Sequence, residues 1–349
     1  MASATISRPN TREKVLSTSR GDYLVQVAWP AKWKADGSTD DTDAASVPIL
    51  YVLDGNAYFH TAVDIVRRHE VLWGRRAVVV GVGYPPASPD GPAIVYCAPR
   101  RARDYTPMGT DGPAYIEPEW ARHGITAVGE ADQFLTETLR GAVFPAVARD
   151  LLPHLPVADM PRALFGHSFG GLFTMFALYA GGLGHATPGV VQDDETTPAF
   201  DFAYYFGASP SVFFNNDSLV RDYETPFRER ATPAPAQSGV SGLPRVLVTM
   251  GGLESVATRF PGEDSDAFEA RRRKMAETRA VGKARDTAQR LQAVAGGRAD
   301  GDGDARKRLL AAVEYQEYPD EEHAGASVVA LQRAIDRLLG GTRWPGEEQ

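Results

Sequence analysis

The stretch Ala163-Leu164-Phe165-Gly166-His167-Ser168-Phe169-Gly170-Gly171 decides the fold. It joins a short apolar run to Gly-x-Ser-x-Gly and then to a second apolar segment, Leu172 to Tyr179. Strand, sharp turn and helix in that order form the setting of a nucleophile elbow, in which a serine is lifted out of the sheet on a tight turn. Such a serine is crowded, so the residues two positions away on either side must be small. Gly166 and Gly170 meet that need, and Gly171 lets the following helix pack close. The helix start also aims unpaired backbone N–H groups, with a partial positive charge, at the place where an oxyanion would form. The competing reading is a glycine-rich β-to-α turn whose serine only caps a helix.

Working outward, Tyr23–Trp29 is β-branched and aromatic and reads as a strand closed by Pro30. Pro48–Leu53 and Ala77–Val82 are continuous apolar runs, the pattern of strands buried on both faces, and Phe59 to Val71 between them has helical spacing. Two such strands around a helix make a β-α-β unit. Residues 84–130 are rich in Pro, Gly, Arg and Tyr with little periodicity, which marks a long loop of the kind that shapes binding sites. Ala131 to Leu152 carries a helical stripe with Pro145 as an irregularity. Beyond the elbow, Ala199–Gly207, Arg245–Met250 and Val313–Tyr318 read as strands. Ala267–Val294 reads as one long charged helix, and Val328–Leu339 as a final amphipathic one after a turn at Glu322–Gly325. Alternating strands and helices predict a doubly wound, mostly parallel α/β sheet with helices on both faces, in one domain over residues 21–340. Residues 1–20 read as a loosely held lead-in, and 231–243 and 296–308 as exposed insertions.

In such sheets the chemistry collects at the carboxyl ends of strands. Ser168, Glu254 and His323 all fall there. A serine hydroxyl needs a base within hydrogen-bond reach. Of seven histidines, His323 alone follows a late strand and comes after the serine. His167 sits inside the elbow with its side chain expected to point away from that of Ser168. His60, His69, His123, His154 and His185 read as surface or packing residues. Glu254, after the strand Arg245–Met250, is the expected acid that orients the imidazole, with Asp264, Asp266 or no conventional acid as open alternatives. For the oxyanion hole, the backbone N–H of Phe169 supplies one donor and the Gly55-Asn56 turn after an early strand the other.

The 349 residues, 43% hydrophobic and 23% charged, have an ordinary globular composition and enough length for a sizeable core. Net charge is −8, from 45 acidic against 37 basic residues, which argues against a nucleic-acid partner. No window approaches the length of a membrane span, and residues 1–22 are polar, so a cytoplasmic protein with no membrane partner is expected. The single cysteine, Cys97, rules out an internal disulfide and reads as inert. Gly81-Val82-Gly83 lacks the continuation of a phosphate loop, and the Asp-Gly run at 300–304 lacks the glutamate of a calcium loop. No metal site and no cofactor are implied.

A set of motifs in fixed order goes further. Tyr51-Val52-Leu53-Asp54-Gly55-Asn56-Ala57, Val80-Gly81-Val82-Gly83-Tyr84-Pro85, Arg101-Ala102-Arg103-Asp104-Tyr105-Thr106-Pro107, the elbow, and Ala208-Ser209-Pro210-Ser211 together resemble the esterase-D-like branch of the α/β hydrolases. Within it the likeness is to siderophore esterases that open ferric enterobactin or fusarinine-type trilactones. The resemblance spans roughly Tyr23 to Leu339. It implies an α/β-hydrolase fold and a serine esterase working through an acyl-enzyme. Ser168 would be the nucleophile, His323 the base and Asp54-Gly55-Asn56 the oxyanion turn, while Arg101 and Tyr105 would face a small-molecule ester substrate, such as a ferric siderophore. A guanidinium suits a ligand offering negative oxygens, though Arg101 paired with Asp104 would serve equally to brace the loop. The branch also contains thioesterases, so an acyltransferase, a thioesterase or a non-catalytic binder on the same scaffold stays open.

Overall fold

The computed structural model describes residues 9–86, 88, 94–116, 118–184, 200–230, 242–259, 262–295 and 309–345. The expected insertion at 296–308, nearly all of that at 231–243, and His185 lie outside them. Where the sequence suggests one domain, the chain gathers into two compact units, Met1–Tyr96 with Thr136–Pro161, and Cys97–Leu135 with Arg162–Gln349.

In the first unit, β1 (Thr11–Thr18) and β2 (Gly21–Ala28) form an antiparallel hairpin, and β2 runs antiparallel to β4 (Val78–Gly83). The expected N-terminal lead-in is therefore a strand over most of its described length. Its pairing with β2 satisfies the backbone, and Gly21 at φ 103° closes the tight turn. β3 (Ile49–Leu53), buried at every residue, pairs in parallel with β4. Between them α1 (Gly55–Trp73) turns Tyr58, Phe59, Ala62, Val63, Ile65 and Val66 inward at helical spacing, and Gly74 in the left-handed region ends it.

In the second unit, β5 (Arg162–His167), β6 (Tyr204–Ala208), β7 (Arg245–Gly251) and β8 (Ala312–Tyr318) are parallel and adjacent in that order. The stretch read as a long loop carries α2 (Ala98–Tyr105) and the short α3 (Pro118–Arg122). Helix α4 (Phe169–Gly182) follows the elbow and is buried at every position but Phe169, as its apolar sequence requires. The single long helix expected over 267–294 is two, α5 (Ser265–Thr278) and α6 (Ala280–Ala295), broken at Arg279, which takes the left-handed conformation (φ 50°). The final helix α7 (His323–Leu338) starts five residues earlier than its apolar stripe suggests, directly at His323. Residues 131–151 are helical, wound as π-helix over Phe134–Val143 and Val147–Leu151.

The fold is thus α/β, mostly parallel, with crossover helices. Four parallel strands in the second unit release the chain, at their carboxyl ends, into the segments that hold Ser168, Ser209, Glu254 and His323.

Candidate active site

Ser168 sits between β5 and α4 with φ 61° and ψ −116°, a strained conformation for a residue with a side chain. The turn is held from both sides. The Ser168 N–H donates to the Ala208 carbonyl at 3.0 Å, and the Ser168 carbonyl accepts from the Leu172 N–H at 2.9 Å. The small neighbours are a steric necessity. A Cβ on Gly166 would stand 2.1 Å from the Gly170 carbonyl oxygen, and one on Gly171 would stand 2.7 Å from that of Ala208. Phe169 opens α4, so its N–H is among the first-turn donors of that helix.

Glu254 lies on a short 3₁₀ turn after β7 (Gly252–Ser255). One carboxylate oxygen accepts from the Gly251 N–H at 2.8 Å and from the Ser209 hydroxyl. The other lies 2.6 Å from His323 Nδ1. Burial acts to raise the carboxyl pKa. The hydrogen bond and charge of His323, with the Ser209 and Gly251 donors, outweigh burial and hold Glu254 below the usual carboxylate value. Since the ionised carboxylate only accepts, Nδ1 of His323 carries a proton, which in the neutral imidazole leaves the lone pair on the ring's other nitrogen. The alternatives for the acid do not line the cavity that Ser168, Glu254 and His323 share. Asp264 caps α5 by accepting from the Ala267 N–H at 2.8 Å, and Asp266 lies in the first turn of that helix.

Ser168, Glu254 and His323 line one cavity of about 520 Å³. Trp120, Phe169 and Phe213 give it aromatic walls, and Arg271, Lys274, Met275 and Thr278 border it from one face of α5. Trp120 stacks on Phe214 with centroids 6.1 Å apart and planes 6° from parallel, and Phe169 packs edge-on against both.

Sequence reasoning passed over four contributors. Ser209 appeared only as part of a motif. Trp120 stands in a stretch without periodicity. The α5 face was hidden in a run of charges that reads as a solvated helix. His167, expected only to point away from Ser168, is 5% exposed, and its ring centroid lies 4.4 Å from that of His323.

The remaining site candidates fall elsewhere. Tyr105, expected to face substrate, is wholly buried between Phe134 and Phe173, where an aromatic residue after a short helix gains most by burial. Arg101 is not among the residues lining the cavity. Its guanidinium lies 5.6 Å from the Phe169 ring centroid and 5.9 Å from that of Tyr105, and it donates to the His167 carbonyl at 3.3 Å. Arg101 thus contacts both residues that flank Ser168, while buried Asp104 pairs with Arg103 at 2.8 Å. Gly55 and Asn56 open α1 in the first unit, where the Asn56 side chain clamps the Tyr84 backbone, accepting from its N–H at 2.8 Å and donating to its carbonyl at 2.9 Å. Among the described residues, no group of three or more His, Cys, Asp or Glu is placed to hold a metal ion, and no helix is long and apolar enough to cross a membrane.

No family model matches the chain. It is 31% identical over 321 residues to the siderophore enterobactin esterase of Emericella nidulans, covering 90% of this chain and 88% of that protein. It is 29% identical over 341 residues to the siderophore triacetylfusarinine C esterase of Aspergillus fumigatus, covering 97% and 95%. Among solved structures, siderophore hydrolase EstA from Aspergillus nidulans matches with a TM-score of 0.71 at 27% identity, over 96% of this chain and 97% of that one. Siderophore hydrolase EstB from the same organism gives 0.70 at 28%, over 99% of each. Identity at this level along nearly the whole length, with the same fold, places the chain in the siderophore-esterase family of α/β-hydrolase-type carboxylic ester hydrolases.

Proposed function

We propose that this protein is a serine esterase that opens the ester bonds of a ferric trilactone siderophore through an acyl-enzyme. The observation that carries the reading is the 2.6 Å contact between His323 Nδ1 and Glu254 in the wall of the cavity that Ser168 also lines. His323, its tautomer fixed by Glu254, takes the Ser168 proton as the hydroxyl attacks the ester carbonyl. The tetrahedral oxyanion accepts from the Phe169 N–H at the start of α4. His323 then protonates the leaving alcohol, and water repeats the sequence on the acyl-enzyme to release the acid. The iron arrives as part of the substrate.

Support for the substrate class comes from the names of the relatives, one acting on enterobactin and one on triacetylfusarinine C. A cavity of about 520 Å³ with aromatic walls suits one arm of a bulky chelate. The test compares ferric trilactones with simple aryl esters and acyl thioesters, on the wild type and on Ser168→Ala. The expected result is preference for the trilactone, with loss of about 10⁶-fold in kcat in the variant. Equal or faster turnover of thioesters, or an active variant, overturns the proposal.

A further inference from the structure

The geometry points to His167, the residue immediately before the nucleophile, as a positioning residue that fixes the base, His323, through a backbone hydrogen bond and a ring contact. This rests on the reading of Ser168, His323 and Glu254 as the reaction centre.

The imidazole Nε2 of His167 lies 3.0 Å from the carbonyl oxygen of His323. A carbonyl only accepts, so Nε2 carries the proton and donates, which fixes His167 in one tautomer. That bond ties the first residue of α7 to the last residue of β5. The rings lie with centroids 4.4 Å apart, tilted by 43°. The base needs such a wall. Its side chain is 50% exposed, whereas that of Glu254, its partner on Nδ1, is 7% exposed. One hydrogen bond on a half-exposed ring leaves rotation about its own axis, and a second surface against the ring face limits that rotation. His167 thereby couples nucleophile and base through adjacent residues: the strand end that aims Ser168 also sets the backbone and ring plane of His323.

The arrangement requires an uncharged His167. The charged and titratable groups facing it are His323 from α7, Glu254 from the turn after β7, and Arg101 from α2, which donates to the His167 carbonyl. Burial first, then His323 and Arg101, push its pKa down to about 3 against the opposing pull of Glu254. When His323 becomes an imidazolium during the reaction, it therefore meets a neutral ring, and the two histidines do not compete for the proton.

The test uses His167→Phe, which keeps a ring and loses the donor, and His167→Gln, whose amide nitrogen falls near the place of Nε2. Active sites are counted by stoichiometric fluorophosphonate labelling, so that kcat is expressed per competent molecule. His167→Phe is expected to lower that kcat by about tenfold to a hundredfold with KM little changed, since small misplacement of a reacting group costs on this scale, and His167→Gln to recover most of the loss. In parallel, the ring ¹⁵N spectrum of the wild type is expected to show His167 as the neutral Nε2–H form at pH 5. A His167→Phe enzyme with wild-type kcat per labelled site, or a His167 ring protonated at pH 5 or carrying its proton on Nδ1, overturns the inference. A wild type that neither labels at Ser168 nor hydrolyses esters is a different failure, that of the proposed reaction itself.

Discussion

Glu254 shows how single side chains set this chemistry. Its carboxylate is used on three sides, by the Gly251 N–H, the Ser209 hydroxyl and His323 Nδ1. Replacing it by Gln keeps the shape but offers an N–H where the imidazole needs an acceptor. Glu254→Gln is expected to lower kcat by about 10⁴-fold with KM little changed, measured by steady-state hydrolysis, because the wrong tautomer of the base is then favoured. The lowered pKa of Glu254 also carries a sign for stability. A carboxyl held below its unfolded value contributes stability above that value and loses it as pH falls through the folded one. His167 works in the same direction. Its neutral form is favoured in the fold, so the unfolded chain binds the extra proton below its ordinary value of 6.5, and stability falls with pH from there down to about 3. Through this residue alone the wild type should be about 2 kcal/mol less stable at pH 5 than at pH 7, and His167→Gln should lack that increment in denaturant titrations at the two pH values. Ser168, Glu254 and His323 were legible in the sequence because strand ends are legible. The contacts of His167 and Arg101 were not, because each depends on which backbone carbonyl lies opposite once the strands are in register.

At the scale of elements, the elbow is the most constrained piece. Gly166→Ala puts a methyl carbon against the Gly170 carbonyl oxygen, a backbone atom that cannot turn aside. The variant is expected to lose about 3 kcal/mol or more in urea denaturation, beyond the usual cost of overpacking a core, because α4 must shift to admit it. Buried strands announced themselves as apolar runs, and β3 through β7 fall where those runs lie, whereas β8 alternates Glu, Tyr and Gln and is half-buried through its middle. Helix boundaries were harder to read. Arg279 breaks the charged helix with a left-handed residue that no glycine or proline marks. The start of α7 after His323, Ala324-Gly325-Ala326-Ser327, carries small side chains, so the apolar stripe begins only a turn later. β1 went unread because an alternating, half-exposed hairpin strand of Thr, Arg, Glu and Lys resembles an ordinary polar tail.

At the scale of the molecule, composition excluded more than it identified. The single cysteine rules out an internal disulfide, but the division into two compact units left no mark in composition. Charges of both signs border the cavity, Arg271 and Lys274 on one face of α5, Glu254 on the turn after β7 and Glu322 just ahead of α7, with Arg271 itself paired to Glu263 at 2.8 Å. In this mechanism Ser168 is the nucleophile of an ester hydrolase. The most direct test of that role is stoichiometric reaction with a fluorophosphonate, the modified peptide located by mass spectrometry while ferric trilactone hydrolysis is followed on the same sample. One label per chain on Ser168, with hydrolysis falling in proportion to labelling, is the predicted result. Undiminished hydrolysis after complete modification of Ser168, or exclusive labelling of another residue, would contradict it.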